Sequence, residues 1–342
     1  MAGIKDLAQH LDLSIGTVSR ALNDKPDVNP KTRQRVLDAA RELGYRPNHS
    51  GRSLRHGRTN TVGLVLETGS ASTLGGDTFF MHLIDAMQER LYDNGLDLIL
   101  LPCRSADDPV EFLRRQVARG LVDALVITAT RRQDARIKLL EEARLPFLTL
   151  GRSETPGDYP WIDLDFEGVA RRSVDELVRL GHRRIAVAAP RRDVMLAQIY
   201  INGYREALTA HGIAIDESLI LRHRASENGG RQVGTALLEM ENRPTAVMLA
   251  QELMAIGLYS SLTRAGLVPG KDMSVIGFRQ NPQMSFLDPK LACFGLDVRA
   301  LGLAVGDAVI NRVGAMDESF AAHRIWPMTY TPAPSVQKPP TP

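Results

Sequence analysis

Short polar side chains near the amino terminus are the residues of this sequence whose types and spacing best fit a chemical task. The run SIGTVSR at 14–20 begins with Ser14, which can cap a helix, and Val18 and Leu22 then fall on one apolar face. The residues left on the exposed face are Ile15, Gly16, Thr17, Ser19 and Arg20. Such a face can donate hydrogen bonds to phosphates and reach base edges in the major groove of DNA.

An earlier apolar stripe predicts a second helix that supports this one. Ile4, Leu7, Ala8 and Leu11 recur at helical spacing, and Asp12-Leu13 interrupts the pattern. Two short helices joined by a tight bend, with a polar second helix, have the layout of a helix-turn-helix. The alternative is a small helical hairpin with a solvated face.

The segment that follows favours the helix-turn-helix interpretation. Asn29-Pro30 fits a cap and a first-turn proline, and the helix KTRQRVLDAARELG then ends at Gly44. Three short helices of this kind bury a small core. Residues 45–58 are basic and contain Pro47 and two glycines, so they form either a hinge that touches DNA or a solvated linker.

Charge is distributed unevenly along the chain. Residues 1–58 carry 11 lysines and arginines against 6 acidic residues, whereas the rest of the chain carries 31 and 34. A basic head therefore precedes a faintly acidic body, although the net charge of the whole chain is only +2. Positive charge at one end attracts a phosphate backbone and makes binding salt-dependent.

From about residue 61 to 330 the sequence alternates short apolar strands with amphipathic helices. The predicted strands are at 62–66, 96–101, 122–129, 145–150, 183–189, 245–250 and 273–278. The predicted helices are near 80–94, 109–119, 166–180, 197–211, 228–241 and 252–265. This alternation predicts α/β lobes with doubly wound parallel sheets, in which a ligand binds beyond the carboxyl ends of the strands.

The sequence resembles the lactose-repressor/galactose-repressor family of bacterial transcription regulators. The resemblance rests on IKDLAQHL, TVSRALN, VNPKTRQRVLDAARELGYRPN and the RSL of the linker, and it covers nearly the whole chain. It implies a helix-turn-helix domain over 1–46, a hinge over 47–59 and a bilobed body over 60–331 that is similar to periplasmic sugar-binding proteins.

The same resemblance divides the body, and the composition of the last residues adds a tail. The first lobe is expected at about 60–161 and 292–324, and the second at about 162–291 and 325–331. The run PAPSVQKPPTP predicts that residues 332–342 are a disordered tail.

The resemblance also implies DNA-binding roles by position. Ile15 and Gly16 stand where the family chooses bases, and Leu54 stands where it inserts into the minor groove at the operator centre. The residues expected to contact the DNA backbone or to form the hinge are Ser14, Thr17, Ser19, Arg20, Asn23, Asn48, Arg52 and Arg55. Leu54 is the one large apolar residue in GRSLRHGR, and an inserted apolar side chain bends DNA.

In the family an effector binds between the two lobes, and this chain departs from the usual residues there. Positions that often carry an arginine, an asparagine and an aspartate are occupied by Tyr200, Gln251 and Arg279. Because a guanidinium only donates hydrogen bonds, Arg279 indicates an anionic or otherwise unusual effector, unless it forms an internal salt bridge or lies at the rim of the site. Tyr200 either stacks on a sugar face or packs internally.

Three residues before or within the first helix of the body complete the predicted effector site. Asp77, Phe79 and Phe80 stand where the family lines the cleft, and one of the two aromatic rings is expected to be core. By family resemblance alone, a neutral or modified sugar is the leading effector class.

The sequence therefore predicts a cytoplasmic, sequence-specific DNA-binding regulator, most simply a repressor of carbohydrate transport or catabolism genes. Its expected partners are a palindromic operator in double-stranded DNA, an effector that is a sugar, sugar phosphate or sugar acid, and a second copy in a homodimer or tetramer. Neither a cofactor nor a metal is expected, since Cys103 and Cys293 have no metal-like partners, and no signal peptide or membrane span is visible.

Two alternatives belong to other functional classes. A sugar-binding transport or sensing protein with an incidental helical head requires export. An enzyme built on the doubly wound sheets requires a glycine-rich cofactor loop or a nucleophile–base set, and neither pattern is present in the sequence.

Overall fold

The computed structural model describes residues 3–22, 24–45, 58–68, 78–314 and 323–340. The chain forms two compact units, Met1–Thr59 and Asn60–Pro342. No helix in these described ranges combines the length and the apolar character needed to cross a membrane.

The amino-terminal unit contains the three predicted helices, α1 (Ile4–Leu11), α2 (Ile15–Leu22) and α3 (Pro30–Glu42). Their common core consists of Leu7, Ala8, Val18, Ala21, Val28, Val36, Ala39 and Ala40. The predicted caps are also present, because the Asn29 side chain accepts from the Lys31 N–H at 2.9 Å and Gly44 has a φ of +61°. The apolar spacing in the sequence was therefore sufficient to place all three helices.

The first lobe of the body contains a six-stranded sheet whose described strands are all parallel. Its order is β11-β5-β4-β3-β1-β2. The strands are β1 (Thr61–Glu67), β2 (Asp97–Cys103), β3 (Ala124–Thr128), β4 (Phe147–Leu150), β5 (Trp161–Leu164) and β11 (His323–Trp326). The helices are α4 (Phe79–Tyr92), α5 (Pro109–Arg119), α6 (Ala135–Glu142) and α11 (Val298–Val313).

Helices cover both faces of this first sheet, as the uninterrupted apolar strands predicted. Leu64 packs in one core with residues of α4 and α11, whereas its neighbour Val65 packs in another with residues of α5 and α6. Helices α4 and α11 approach closely at Gly302, where an added Cβ would lie 2.7 Å from the Leu83 carbonyl oxygen. The close contact between these two helices therefore requires glycine at that position.

The second lobe repeats the pattern with the strand order β12-β10-β9-β8-β6-β7. Strand β12 is antiparallel to β10, and the other pairs are parallel. The strands are β6 (Ile185–Pro190), β7 (Ile220–His223), β8 (Ala246–Leu249), β9 (Ser274–Arg279), β10 (Ala292–Gly295) and β12 (Thr329–Thr331). The helices are α7 (Phe166–Leu180), α8 (Met195–Ala210), α9 (Glu227–Glu239) and α10 (Leu253–Arg264).

The chain crosses between the lobes at slightly different points from those expected. Strand β5 reaches Leu164 in the first sheet, β10 at 292–295 belongs to the second sheet, and β11 at 323–326 returns to the first. The expected boundaries at 161, 292 and 324 are therefore displaced by a few residues. The reason is that an apolar run marks a strand but does not indicate the sheet to which the strand belongs.

The carboxy-terminal tail is ordered where it is described, so the prediction of disorder is wrong for residues 332–340. Ser335 is fully buried, and its hydroxyl donates to the Val275 carbonyl at 2.7 Å and accepts from the Ala292 N–H at 2.8 Å. The Gln337 carbonyl also lies 2.8 Å from Nε2 of His182. Specific hydrogen bonds to the second lobe thus hold a segment whose proline-rich composition indicated no structure.

We expect Ser335→Ala to lower the free energy of unfolding of the protein by about 2 kcal/mol, because it leaves buried backbone groups without their partner. The measurement is urea unfolding monitored by circular dichroism. Thr209→Ala is the matched control, since its exposed hydroxyl only donates to the Arg205 carbonyl within α8 and its loss should cost less than about 0.5 kcal/mol. Equal losses in the two variants would contradict a buried anchoring role for Ser335.

Candidate DNA-binding surface and effector cleft

Helix α2 presents the exposed face that the sequence predicted. The Ser14 hydroxyl accepts from the Thr17 N–H at 3.0 Å and lies 2.9 Å from the Thr17 hydroxyl, so it caps the helix as expected. Ile15 exposes 43% of its surface, an unusual state for a large apolar side chain. Gly16 is exposed too, and an added Cβ there would meet only the Ser14 hydroxyl, at 3.7 Å. Internal packing therefore requires neither isoleucine nor glycine at these positions.

The remaining side chains of this face are polar and accessible. Thr17 and Ser19 are half-buried, while Arg20 is exposed and pairs with Asp27 at 2.9 Å. This pair holds a cation in the last turn of α2. The other predicted DNA contacts, at Asn23, Asn48, Arg52, Leu54 and Arg55, lie outside the described residues.

The body contains a cavity of about 670 Å³ between its two lobes, a size typical of small-molecule sites. The first lobe contributes Thr78, Phe79, His82, Leu296 and Val298 to its lining, and the second lobe contributes Arg279, Gln280, Asn281, Pro282, Met284, Ser285, Lys290, Leu291 and Cys293. The remaining lining residues follow the point where the chain last passes from the first lobe to the second, and they are Thr331, Pro332 and Ala333. A ligand in this cavity would contact both lobes at once.

A groove of similar volume lies between α9 and α10, on the outer side of the second lobe. Its walls all come from that lobe. Occupation of the groove would therefore leave the relation between the lobes unchanged, and the cavity between the lobes is the better candidate for an effector site.

Arg279 lies on the inner wall of this cavity and makes the internal salt bridge that the sequence left open. Its guanidinium pairs with the carboxylate of Glu252, and the two side chains are only 8% and 2% exposed. The guanidinium carbon also lies 4.3 Å from the centroid of the Phe79 ring, which belongs to the first lobe. One residue thus connects a buried carboxylate of the second lobe with an aromatic ring of the first.

The other predicted effector residues lie in different surroundings. Tyr200 is entirely buried, donates to the Leu249 carbonyl at 3.3 Å and packs edge-on against Phe278, so it offers no surface to an effector. Phe80 packs against Phe79 with ring centroids 5.1 Å apart and does not line the cavity. Gln251 is half-buried and is also absent from the lining, while Asp77 lies outside the described residues.

A second set of charges joins the lobes at Glu67, the last residue of β1. Its carboxylate is 4% exposed and pairs with Arg131 at 3.1 Å, with Arg136 at 3.3 Å and with Arg192 at 2.6 Å. Arg192 follows β6 and belongs to the second lobe, whereas the other two arginines belong to the first. The Met195 N–H donates to the Thr130 carbonyl at 2.8 Å beside this contact.

In the first lobe, the arginine side chain that pairs with Glu67 is itself fixed by several hydrogen bonds. Arg136 is fully buried, and its guanidinium donates two hydrogen bonds to the Asp134 carboxylate, at 2.9 and 2.7 Å. Burial by itself would raise the pKa of Asp134, but the hydrogen bonds and charge of Arg136 lower that pKa below its usual value. The carboxylate of Glu67 is thus positioned by fixed partners in one lobe and bound by a half-exposed arginine from the other.

Sequence reasoning missed the roles of Glu252 and Glu67. Glu252 follows β8 and Arg279 ends β9, and these strands are neighbours in the second sheet. Opposite charges at the carboxyl ends of successive predicted strands were therefore an available signal. For Glu67 no such signal existed, because Arg192 lies 125 residues away and belongs to the other lobe.

Among the described residues there is no group of three or more His, Cys, Asp or Glu side chains arranged to hold a metal ion.

Comparison with known proteins assigns the family. The profile described as periplasmic binding proteins and sugar binding domain of LacI family matches residues 59–331, and the profile of bacterial regulatory proteins of the lacI family matches residues 3–48. The chain belongs to the LacI family. It is therefore a DNA-binding transcriptional regulator, and its relatives are regulators and not enzymes.

Individual relatives agree with this assignment. The HTH-type transcriptional regulator AglR of Rhizobium meliloti is 35% identical over 274 residues, which are 80% of this chain and 76% of AglR. The crystal structure of the Lac repressor dimer bound to operator and the anti-inducer ONPF matches this LacI-family chain with a TM-score of 0.85 and 25% sequence identity. The match covers 98% of this chain and 99% of the Lac repressor chain. The structure of a transcriptional regulator CelR in complex with cellobiose matches this chain with a TM-score of 0.74 and 25% sequence identity. The match covers 98% of this chain and 100% of the CelR chain.

We expect Glu67→Gln to lower the free energy of unfolding of this LacI-family protein by about 3 kcal/mol, because buried Arg136 and the partly exposed Arg131 and Arg192 lose a shared counter-charge. Chemical unfolding at neutral pH measures the effect. Glu111→Gln is the matched control, since Glu111 and its partner Arg114 are both more than half exposed, and it should cost less than about 0.5 kcal/mol. A Glu67→Gln variant as stable as this control would show that the cluster contributes nothing to the fold.

Proposed function

We propose that this regulator binds an inverted-repeat operator as a homodimer and represses genes of carbohydrate transport or catabolism. A small carbohydrate in the cavity between the lobes controls its affinity for DNA. The observation that carries the proposal is a cavity walled by both lobes, in a chain that also presents an exposed helix-turn-helix face.

Base recognition is assigned to the start of α2. Exposed Ile15 suits apolar contact with a thymine methyl group, and Gly16 lets the helix approach the groove closely. Backbone contacts are assigned to Ser14, Thr17, Ser19, Arg20 and Asn23. The linker at 47–59 supplies Asn48, Arg52, Leu54 and Arg55, with Leu54 as the minor-groove wedge.

A homodimer is supported by the way in which helix-turn-helix proteins recognise their operators. Helix-turn-helix proteins place two recognition helices in successive major grooves, and a two-fold symmetric protein then requires an inverted repeat. The Lac repressor structure that resembles this chain is described as a dimer on its operator. A palindromic site is therefore the operator to test first.

A carbohydrate effector is supported by the lining of the cavity. Phe79, Leu296 and Val298 contribute apolar surface, while the amides of Gln280 and Asn281 and the hydroxyls of Ser285 and Thr331 carry hydrogen-bond donors and acceptors. The CelR structure that resembles this chain contains cellobiose, which is a carbohydrate. Tyr200 is not included in the site because it is wholly buried.

Control of DNA binding follows from linkage. A ligand that contacts both lobes favours the lobe arrangement to which it binds more tightly, and it can shift the equilibrium only by that difference in affinity. The linker then passes the change to the helix-turn-helix unit by altering the cost of ordering its hinge segments.

We expect Ile15→Ala to reduce the preference for operator over random duplex about fivefold, because it removes an apolar base contact worth about 1 kcal/mol. Arg20→Gln should instead weaken binding to both duplexes and reduce the salt slope by about 1. Fluorescence anisotropy with labelled operator and random duplex at several salt concentrations measures both effects.

Arg114→Gln is the matched control for Arg20→Gln, because Arg114 is an exposed, ion-paired arginine of the body. It should leave DNA binding unchanged. If the Ile15→Ala variant keeps the full operator preference, the assignment of base reading to this position is wrong.

We expect deletion of residues 1–58 to abolish operator binding while ligand binding by the body is retained, since the two units are separately compact. Gel shifts with the native upstream region at two salt concentrations test the first part, and thermal unfolding with a panel of sugars tests the second. A sugar at 100 times its dissociation constant should stabilise the body by about 2.7 kcal/mol.

The same experiment separates the proposal from its alternative, a sugar-binding sensing or transport protein without a DNA function. Such a protein would bind a sugar, but the full-length chain would show no preference for its upstream region over random duplex. Unchanged operator affinity in the presence of a sugar that binds would contradict the proposed control.

A further inference from the structure

The residue at which the body begins is held between two strands of the first sheet. Asn60 directly precedes β1, which lies between β2 and β3. Its N–H donates to the carboxylate of Asp123 at 2.7 Å, and its carbonyl accepts from the Asp97 N–H at 2.9 Å. Asp97 begins β2 and Asp123 immediately precedes β3. We call Asn60, Asp97 and Asp123 the linker anchor, because the linker proposed at 47–59 ends beside them.

The backbone at the linker anchor has an uncommon torsion and a further contact. Asn60 has a φ of +51°, in the left-handed region that asparagine adopts more readily than most other residues. The Asp123 N–H donates to the Thr61 carbonyl at 2.8 Å, so Asp123 binds Asn60 through its side chain and Thr61 through its backbone. The path of the chain is therefore fixed at Asn60, before the strand itself begins.

The hydrophobic core does not explain the carboxylate of Asp123. Asn60 is exposed and Asp123 is half-buried, whereas the core of β1 begins with fully buried Val62. Water can accept a hydrogen bond from an exposed N–H when a carboxylate is removed. Loss of the contact is therefore expected to cost the body little stability, and its main effect falls on the direction of the chain that precedes Asn60.

We infer that Asp123 is a positioning residue for operator recognition: by fixing Asn60 it fixes where the linker leaves the body, and so the spacing of half-sites that two copies bind. This inference rests on the proposed binding of an inverted repeat by a homodimer. When two DNA-binding units are attached to one dimer, the attachment sets the effective concentration of the second unit at its half-site. An attachment residue that is already ordered in the free protein does not have to be ordered on DNA.

The test changes the hydrogen bond from both of its ends in the full-length protein. Asp123→Ala removes the acceptor, whereas Asp123→Asn removes the same charge and keeps an oxygen that can accept. Asn60→Val disfavours the positive φ because valine is β-branched, whereas Asn60→Gly tolerates that φ and keeps the N–H. The hydrogen bond is what the two positions have in common, so a shared effect of Asp123→Ala and Asn60→Val reports on it.

The probes are labelled duplexes, and fluorescence anisotropy measures their binding. One duplex carries the inverted repeat of the native upstream region, others carry the same repeat with a centre longer or shorter by one or two base pairs, and the last carries a single half-site. A change in folding or in net charge would alter binding to the half-site as well, whereas a change in the linker anchor alters binding only where two half-sites must be spanned.

We expect Asp123→Ala and Asn60→Val to bind the native repeat about fivefold more weakly than the wild type, because each copy must then order Asn60 on the DNA. The ratio of affinities between the native and the altered spacings should fall as well, and half-site binding should stay unchanged. Asp123→Asn and Asn60→Gly should retain most of the wild-type behaviour.

Asp272→Ala is the matched control in the second lobe. The Asp272 carboxylate accepts from the Val268 N–H at 2.7 Å, so this variant loses the same kind of hydrogen bond and the same charge far from the linker anchor along the chain. It should leave all three kinds of duplex binding unchanged. Amide hydrogen exchange provides a measurement without DNA, in which the Asn60 amide should exchange faster in Asp123→Ala than in the wild type.

Two results would overturn the inference. One is folded Asp123→Ala or Asn60→Val protein that keeps the affinity of the wild type for the native repeat and its preference for that spacing. The other is a loss that is equally large on the single half-site. The proposed function fails in a different way, if the wild type itself shows no preference for the inverted repeat over a single half-site; the inference then fails with it.

Discussion

The cleft between two largely parallel sheets is the constraint on which the rest of the body depends. In a parallel sheet the carboxyl ends of the strands lie at the same edge, and the ion pair between Glu67 and Arg192 joins this edge of one lobe to that of the other. The ends of β8 and β9 therefore bring Glu252 to Arg279, and the ends of β1 and β6 bring Glu67 to Arg192. Polar side chains lie at these strand ends because the side chains along the strands pack in the apolar cores.

Buried charges persist in proteins only when they are paired, and this body uses paired charges where its lobes meet. Glu67 has one set of partners in its own lobe and one partner in the other, so part of its ion-pair geometry depends on the relation between the lobes. Arg279 repeats this arrangement with Glu252 behind it and Phe79 across the cleft. A ligand that moved one lobe would change both sets of contacts, which is the physical basis of the proposed effector control.

In the amino-terminal unit the residues that stabilise the fold are distinct from those proposed to bind a partner. Its core of small and aliphatic residues is explained entirely by helix packing, whereas Ile15 and Gly16 break the usual rules for an exposed helix face. Glycine weakens a helix by about 1 kcal/mol relative to alanine, and an exposed isoleucine gains nothing from the core. Exceptions of this kind are expected where a surface serves a partner and not the fold.

Local sequence patterns were enough to predict the three amino-terminal helices, most elements of the body and the family, because apolar periodicity and caps such as Ser14 and Asn29 act over a few residues. They did not predict the helices α6 and α11 or the strands β5, β7 and β10. For Arg279 and Tyr200 the sequence left an effector contact and an internal contact equally open. The fold selects the internal contact, because the partners Glu252 and Leu249 lie 27 and 49 residues away along the chain. The sheet to which β10 and β11 belong, and the order of the tail at Ser335, were decided in the same way. Local sequence patterns determine whether a segment forms a helix or a strand. Contacts between distant residues determine which charged side chains form ion pairs and which surfaces stay accessible to a ligand.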